Sequence, residues 1–152
     1  LDDLEPSAAS WATVDPAGAL TRSGIDFRLE LSGEVGMGGP ELSAERITLD
    51  QLFLSALGMT LEGEGEAESL GTPSGVMLGT ATDARGAFTF ELSGILGMLE
   101  SLGEAGLLEP AAVTGARMML PTLFRAEGED RFNTLIEMTE DGLRANGAPL
   151  PF

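Results

Sequence analysis

Carboxylates dominate the side chains of this sequence that could do chemistry. The clearest pattern is a row of glutamates at every second position: Glu62, Glu64, Glu66 and Glu68. A hard cation such as Ca²⁺ needs several carboxylate oxygens around it. Alternate residues of a strand point the same way but stand about 6.5 Å apart, so the row does not converge on one ion. We interpret it as the solvated face of a strand that also discourages edge-to-edge pairing, with weak cation binding as the alternative.

Other catalytic groups are missing from the sequence. It contains no Cys, His, Tyr or Lys, which excludes thiol and histidine nucleophiles, Cys/His metal sites and Schiff bases. Carboxylate pairs such as Glu100 and Glu104 remain, but an exposed helical pair lacks the different surroundings that a general acid and a general base need. The sequence therefore predicts a protein that is not an enzyme and has no cofactor, with a carboxylate-based hydrolase as a minor alternative.

The charge excludes two classes of partner. Twenty-five acidic and eight basic residues give a net charge of −17, which opposes binding to nucleic acid and to anionic membrane surfaces. The hydrophobic fraction of 43% is too high for a disordered chain. No apolar run reaches the roughly 20 residues of a transmembrane helix. The opening Leu1-Asp2-Asp3, without Met or a signal region, indicates a mature or excised piece of a longer protein.

The hydrophobic pattern predicts an irregular lead-in over residues 1–20 and a single β-rich domain over residues 21–152. The domain opens with strict alternation of apolar and charged side chains, typical of a half-buried strand. The apolar members are Ile25, Phe27, Leu29 and Leu31, and the charged members are Asp26, Arg28 and Glu30.

Further elements follow from periodicity and turn residues. Residues 33–40 are predicted as a connector, residues 44–57 as one long or two short strands, and residues 59–68 as a strand. A strand over 76–82, a turn over 83–86 and a strand over 87–92 come next. Helices are expected over 95–102 and from Pro110, with a kink or early stop at Pro121. Asp141-Gly142 indicates a hairpin between residues 131–138 and 143–146. Asn146-Gly147 is expected to stop the chain after this hairpin.

The second helix is expected to bury an apolar stripe. The stripe comprises Val113, Ala116, Met119, Leu120, Leu123 and Phe124. Together these elements predict an α+β, mainly β fold: a curved antiparallel sheet with two short helices packed on one face.

An internal repeat links two parts of the chain. Residues 27–37 and 88–98 agree at seven of eleven positions at an offset of 61. Either the match is chance, because strands often end in Ser-Gly, or the domain contains two related units that each begin with a strand.

A surplus of Met and Phe raises the question of what the apolar side of the sheet holds. The first interpretation is a core, since Met is an adaptable filler. The alternative is a groove for acyl chains or a partner, in which Gly63 and Gly65 leave room. The candidate lining residues are Phe53, Met59, Leu61, Phe88, Phe90, Ile95, Met98, Leu99 and Leu102.

A second charged cluster needs no function. Glu127, Glu129 and Asp130 lie beside Arg125 and Arg131. We interpret them as salt bridges of a loop that connects the second helix to the next strand.

The carboxy-terminal pattern resembles a known family. Its features are a strand over 88–92, a helix over 95–102, Ala116-Arg117-Met118-Met119-Leu120, Gly128-Glu129-Asp130 and the ending Asn146-Gly147-Ala148-Pro149-Leu150-Pro151. Residues 49–65 add the preceding strands. Over about 110 residues this resembles the alphaproteobacterial envelope family known as domain of unknown function 2125, which is related to AsmA-like proteins. The resemblance implies a periplasmic, secreted or membrane-tethered protein with a role in envelope or lipid homeostasis.

Two hypotheses about function follow. The first is a non-enzymatic envelope protein that holds lipid or another hydrophobic ligand in the apolar groove. The second is a structural or interaction module, part of a longer chain, that joins a protein partner or itself through an open sheet edge.

Overall fold

The computed structural model describes Thr13, Asp15, Gly18, Leu20 and residues 24–37, 42–69 and 84–150. The strand predicted over 76–82 and most of the lead-in lie outside these residues. Within them the chain forms eight strands and two helices. In chain order these are β1 (Asp26–Met37), β2 (Leu42–Ala56), β3 (Met59–Ser69), β4 (Ala84–Ser93), α1 (Ile95–Glu104), α2 (Pro110–Leu123), β5 (Arg125–Gly128), β6 (Arg131–Thr139), β7 (Gly142–Ala145) and β8 (Ala148–Pro149).

The eight strands of the described chain form one antiparallel sheet. The strand order is β1-β2-β3-β4-β6-β7-β8, and β5 pairs with β6 outside this path. The prediction of a mainly β, α+β fold is confirmed. β3 lies between β2 and β4, so the idea that its glutamate row protects a sheet edge is wrong.

Tight turns join the paired strands. The hairpin predicted at Asp141-Gly142 is confirmed: Thr139 lies opposite Gly142, whose carbonyl oxygen accepts a hydrogen bond of 2.9 Å from the Thr139 hydroxyl. Asn146 and Gly147 do not stop the chain, because their φ values of 52° and 84° form a turn that leads into β8. Asn-Gly is the dipeptide that best tolerates two consecutive positive φ values.

Two segments predicted as turns belong to strands. β1 continues to Met37, through most of the expected connector. A Cβ on Gly33 would lie 2.9 Å from the carbonyl oxygen of Arg46, so glycine permits close backbone approach there. β4 already begins at Ala84, where the alternation of exposed and buried positions starts. A Cβ on Gly86 would lie 2.6 Å from the Cα of Ala67, and glycine has the same role.

The two copies of the internal repeat take different structures after their shared Ser-Gly. Gly33 lies inside β1, whereas Gly94 follows β4 with φ 72° and is the N-cap residue of α1. The Gly94 N–H donates to the carbonyl oxygen of Asp130 at 3.0 Å. Only the second copy has this non-local partner and the apolar helix that follows. The repeat therefore does not correspond to two equivalent units.

Helix α2 differs from its prediction in two ways. No residue of α2 is buried, and Met119, expected in the buried stripe, is 65% exposed. Pro121 does not stop the helix, which runs to Leu123 and ends where the Phe124 N–H donates to the carbonyl oxygen of Leu120 at 2.8 Å.

Two compact units divide the chain. The first unit comprises Leu1–Arg28, Phe53–Glu62 and Glu91–Asn133, and the second comprises Leu29–Leu52, Gly63–Phe90 and Thr134–Phe152. Both described helices belong to the first unit, whose buried apolar residues include Leu92, Leu99 and Phe132. Among the described residues of the second unit there is no helix. Its buried side chains are mostly small: Leu49, Ala67, Ala84, Thr134 and Ala145.

Candidate functional site

The second unit carries an apolar sheet face built around a glycine. A Cβ on Gly63 would lie 2.5 Å from the Phe90 ring and 3.5 Å from the Cβ of Leu52. Leu52 of β2, Gly63 of β3 and Phe90 of β4 are therefore neighbours on one face. A Cβ on Gly65 would lie 2.7 Å from the Phe88 ring, which places Phe88 on the same face.

These distances correct one expectation about the groove. Gly63 and Gly65 do not leave room for a ligand, because the rings of Phe90 and Phe88 occupy the space above them. Any ligand of this face would lie on the aromatic rings and not beneath them.

Strand β1 extends the same face. The Arg28 guanidinium lies 5.3 Å from the centroid of the Phe53 ring, so these two side chains share one side of the sheet. Adjacent residues of a strand point to opposite sides. Leu29, and with it Leu31, therefore lies on the side of Leu52. We call Leu29, Leu31, Leu52, Phe88 and Phe90 the open apolar face.

Solvent reaches every member of the open apolar face. Leu29 and Leu31 are 48% and 60% exposed, and the other three are half-buried. Full burial of such a side chain contributes about 1.5–3 kcal/mol relative to exposure. The prediction that one side of β1 is buried is wrong. Besides Leu29 and Leu31, Ile25 and Phe27 of the first unit are also exposed.

The Arg28 side chain lies on the side of β1 opposite to the open apolar face, where two contacts within the first unit hold it. Its Nη2 atom donates to Asp26 Oδ2 at 2.7 Å, and its guanidinium stacks over Phe53. The structure thus places Phe53, a predicted groove residue, beside a charged group. It does not bring Phe53 to the face that carries Leu52.

Most of the other predicted groove residues belong to the first unit. Leu99 is 7% exposed, and the remaining members of the first unit are half-buried. Neither of the two clefts described below is lined by any of the nine predicted residues. The members in the first unit are Phe53, Met59, Leu61, Ile95, Met98, Leu99 and Leu102, and those in the second are Phe88 and Phe90.

Helix α1 is fixed by a carboxylate from a distant turn. Asp130 has φ 52° in the turn between β5 and β6. Its side chain accepts hydrogen bonds from the N–H groups of Leu96 at 2.7 Å and Gly97 at 2.9 Å. These N–H groups have no partner within the helix, and a negative charge at this end is stabilising. The predicted loop between the second helix and the next strand is in part the strand β5, and Asp130 has a structural role.

Helix α1 also contacts α2. A Cβ on Gly103 would lie 3.3 Å from Cγ2 of Val113, and Glu100 lies 3.8 Å from Arg117. Glu100 and Glu104, considered above as an acid–base pair, are both exposed on α1.

An acidic cleft of about 250 Å³ lies in the first unit. It brings Glu62, Glu91 and Glu127 together with Arg131. Sequence reasoning did not find this group, because its members come from four strands. All three carboxylates belong to exposed residues, whereas a general acid and a general base need different surroundings. Among the described residues, no three acidic side chains are placed to hold a metal ion.

A second cleft, of about 310 Å³, lies in the second unit and contains two guanidinium groups. Arg46 lies 3.7 Å from Glu68, and Arg85 forms an ion pair with Glu140. Both arginines are therefore already neutralised by carboxylates.

Comparisons with other proteins give no further guide to the site. No protein-family model, curated protein or solved structure matches this chain. Neither of the described helices has the length and hydropathy needed to cross a membrane.

Proposed function

We propose that this chain is a non-enzymatic protein of the cell envelope that binds lipid or another hydrophobic ligand on the open apolar face. The observation that carries the proposal is the row of leucine and phenylalanine side chains on neighbouring strands of the second unit, of which Leu29 and Leu31 are exposed and the others half-buried. Exposed apolar patches of this kind mark sites of interaction. The envelope location is supported by the resemblance of the carboxy-terminal pattern to the envelope family.

An open hydrophobic face suits an acyl chain for a physical reason. Each apolar Å² removed from water contributes roughly 25 cal/mol. An acyl chain lying over Leu52, Phe88 and Phe90 removes apolar area on both partners and needs no hydrogen-bonding group. The acidic side of β3, with Glu64 and Glu66 exposed to water, keeps the chain soluble while the other side is covered.

Native mass spectrometry of the purified protein tests the proposal. We expect the wild-type chain to carry co-purified lipid. Leu52→Gln keeps the side-chain volume but places an amide on the open apolar face, so the lipid-bound fraction should fall severalfold. Thr89→Gln is the matched control, because Thr89 is exposed on the opposite side of β4, and it should retain lipid.

The result that contradicts the proposal is wild-type protein with no bound lipid that also fails to take up added fatty acid. Equal lipid loading of the Leu52→Gln and Thr89→Gln variants would contradict the assignment to this face. Circular dichroism of both variants verifies that they are folded.

A second candidate function has its own supporting observation. β1 stands at one end of the strand order of the described chain, and an edge strand offers N–H and C=O groups for pairing with another strand. The alternative is therefore a structural or interaction module that uses the outer edge of β1. Hydrogen exchange, measured as the concentration of the chain is raised or after a candidate partner protein is added, tests this alternative. The amides of β1 should become protected, and unchanged exchange under both conditions would contradict the alternative.

A further inference from the structure

We propose that helix α2 docks on the surface of a bilayer of zwitterionic phospholipid through the side that carries Met118 and Met119. This contact is separate from the open apolar face, because α2 belongs to the first unit. It does not rest on a ligand bound to the open apolar face, and it concerns a lipid surface instead of a single lipid molecule.

Large apolar side chains of α2 are exposed to water. Met118 and Met119 are 74% and 65% exposed, and no residue of α2 is buried. With 3.6 residues per turn, these two side chains lie on either side of a line through Gly115. A Cβ on Gly115 would meet nothing within 4 Å. We call this side of α2 the outer side; its other exposed members are Ala111, Ala112 and Thr122.

Helix α1 packs on the reverse side of α2. A Cβ on Gly103 of α1 would lie 3.3 Å from Val113, and Glu100 lies 3.8 Å from Arg117. On a helical projection, the direction midway between Val113 and Arg117 is about 180° from Gly115. The outer side therefore points away from α1.

The acidic residues of the chain avoid α2. Residues 110–126 form the longest stretch of the sequence without Asp or Glu, and its charges are Arg117 and Arg125. Lipid phosphates repel carboxylates, and a carboxylate loses hydration at the edge of an apolar phase. Because the outer side carries no charged side chain, the carboxylates that give the net charge of −17 do not stand at the contact, and physiological salt screens them within about 8 Å.

The polar groups of α2 also permit contact with an apolar phase. Most backbone N–H and C=O groups of a helix bond to one another, whereas those of a sheet edge do not. The Thr114 hydroxyl donates to the carbonyl oxygen of Pro110 at 2.9 Å. Little hydrogen bonding to water is therefore lost when this helix is covered.

The size of the outer side favours a bilayer over a protein. A helix of 14 residues is about 21 Å long and about 10 Å wide, so the outer side covers roughly 200 Å². Each partner of a stable protein complex buries about 800 Å². A second copy docked on α2 alone would thus make too small an interface, whereas a bilayer takes up apolar side chains one by one.

The expected binding is weak and reversible. Removing one methionine side chain from water changes an equilibrium constant by about tenfold or more. Two such side chains act on α2, which is comparable to a single lipid anchor.

Flotation with phosphatidylcholine vesicles at about 0.15 M salt tests the proposal. We expect the wild-type chain to float with the vesicles. The double variant Met118→Gln/Met119→Gln should bind at least about tenfold more weakly. Met118→Leu/Met119→Leu is the matched control and should float like the wild type. Both positions are exposed, so the urea midpoints of the two double variants should stay close to that of the wild type.

A fluorescent label identifies the surface that meets the vesicle, because the chain has no cysteine of its own. An environment-sensitive dye on Met118→Cys should shift to shorter wavelength when vesicles are added. The same dye on Leu31→Cys reports contact through the open apolar face. A shift confined to Leu31→Cys would overturn docking through α2.

Three flotation results would also overturn the proposal. They are a wild-type chain that stays with the unbound fraction, a glutamine double variant that floats like the wild type, and a leucine double variant that does not float. A wild-type chain that ignores vesicles but forms a dimer in sedimentation, lost in the glutamine variant, would assign the outer side to a second copy. Fatty-acid binding by Leu52→Gln is a separate result, since Leu52 lies on β2 of the second unit.

Discussion

The two compact units use similar apolar strand residues in different ways. In the first unit, α1 contributes the buried Leu99 and is held at its start by Asp130. In the second unit, Leu52, Phe88 and Phe90 lie on a sheet face that keeps contact with solvent, and no helix is present among the described residues. An apolar row on a strand therefore does not by itself make a core. Whether it is buried depends on the element that covers it.

The largest expected effect is in the helical unit. Leu99→Ala removes a buried side chain and should lower the free energy of unfolding by about 2–5 kcal/mol. Leu31→Ala, on the open apolar face, should change it by less than about 0.5 kcal/mol, because Leu31 is already mostly in water. Urea unfolding of the two variants measures the contrast, and equal losses would show that the two units do not differ in burial.

A smaller loss of stability is expected from a substitution at Gly63, which a phenylalanine ring covers. Gly63→Ala forces its new Cβ against the Phe90 ring, which must move. Such overpacking typically costs about 1–3 kcal/mol. The unfolding midpoint in urea measures this cost, and an unchanged midpoint would mean that the ring does not lie over Gly63.

The cap that Asp130 provides for α1 should contribute about as much to the free energy of unfolding as a typical helix cap. Asp130→Ala removes both side-chain hydrogen bonds to the helix start, and the expected loss is about 0.5–2 kcal/mol. Glu129→Ala in the same turn is the control and should be nearly neutral. Thermal unfolding followed by circular dichroism separates the two, and a neutral Asp130→Ala variant would contradict the capping role.

The smallest effect should be a gain in stability. Gly115 lies inside α2, and a Cβ there would meet nothing within 4 Å. Gly115→Ala should stabilise the protein by about 0.5–1 kcal/mol, because alanine is the better helix former. A loss of stability at this position, measured by urea unfolding, would show that α2 packs against something at Gly115.

Local sequence signals predicted much of the fold. Asp141-Gly142 marked a real hairpin, and the change from alternation to helical periodicity after Ser93 marked α1. These signals succeed because the interactions that decide them lie within a few residues. The prediction of two short helices beside a mainly β sheet rested on such local signals.

Non-local packing explains the predictions that are wrong. The alternation in β1 is the same whether the apolar side is covered or open, so burial of Leu29 and Leu31 could not be read from it. The stripe of α2 has helical periodicity, yet Met119 is exposed. Asp130 caps a helix more than thirty residues earlier in the chain, and no local motif announces such a contact.

The open apolar face also depends on non-local packing that local sequence patterns do not reveal. Phe88 and Phe90 were identified from composition and alternation, but their position over Gly65 and Gly63 depends on how β3 and β4 pair. The exposed leucines of β1, which extend the open apolar face, are predicted from alternation to lie on the buried side of a half-buried strand. Exposure of a large apolar side chain is a property of its surroundings, and the sequence does not encode it locally.

Binding of a fluorescent fatty-acid probe to the delipidated chain tests the central claim most directly. We expect saturable binding by the wild type, retained in Thr89→Gln and weakened at least about tenfold in Leu52→Gln. A wild-type chain that shows no saturable binding, or a Leu52→Gln variant that binds as tightly as the wild type, would contradict the assignment of a hydrophobic ligand to the open apolar face.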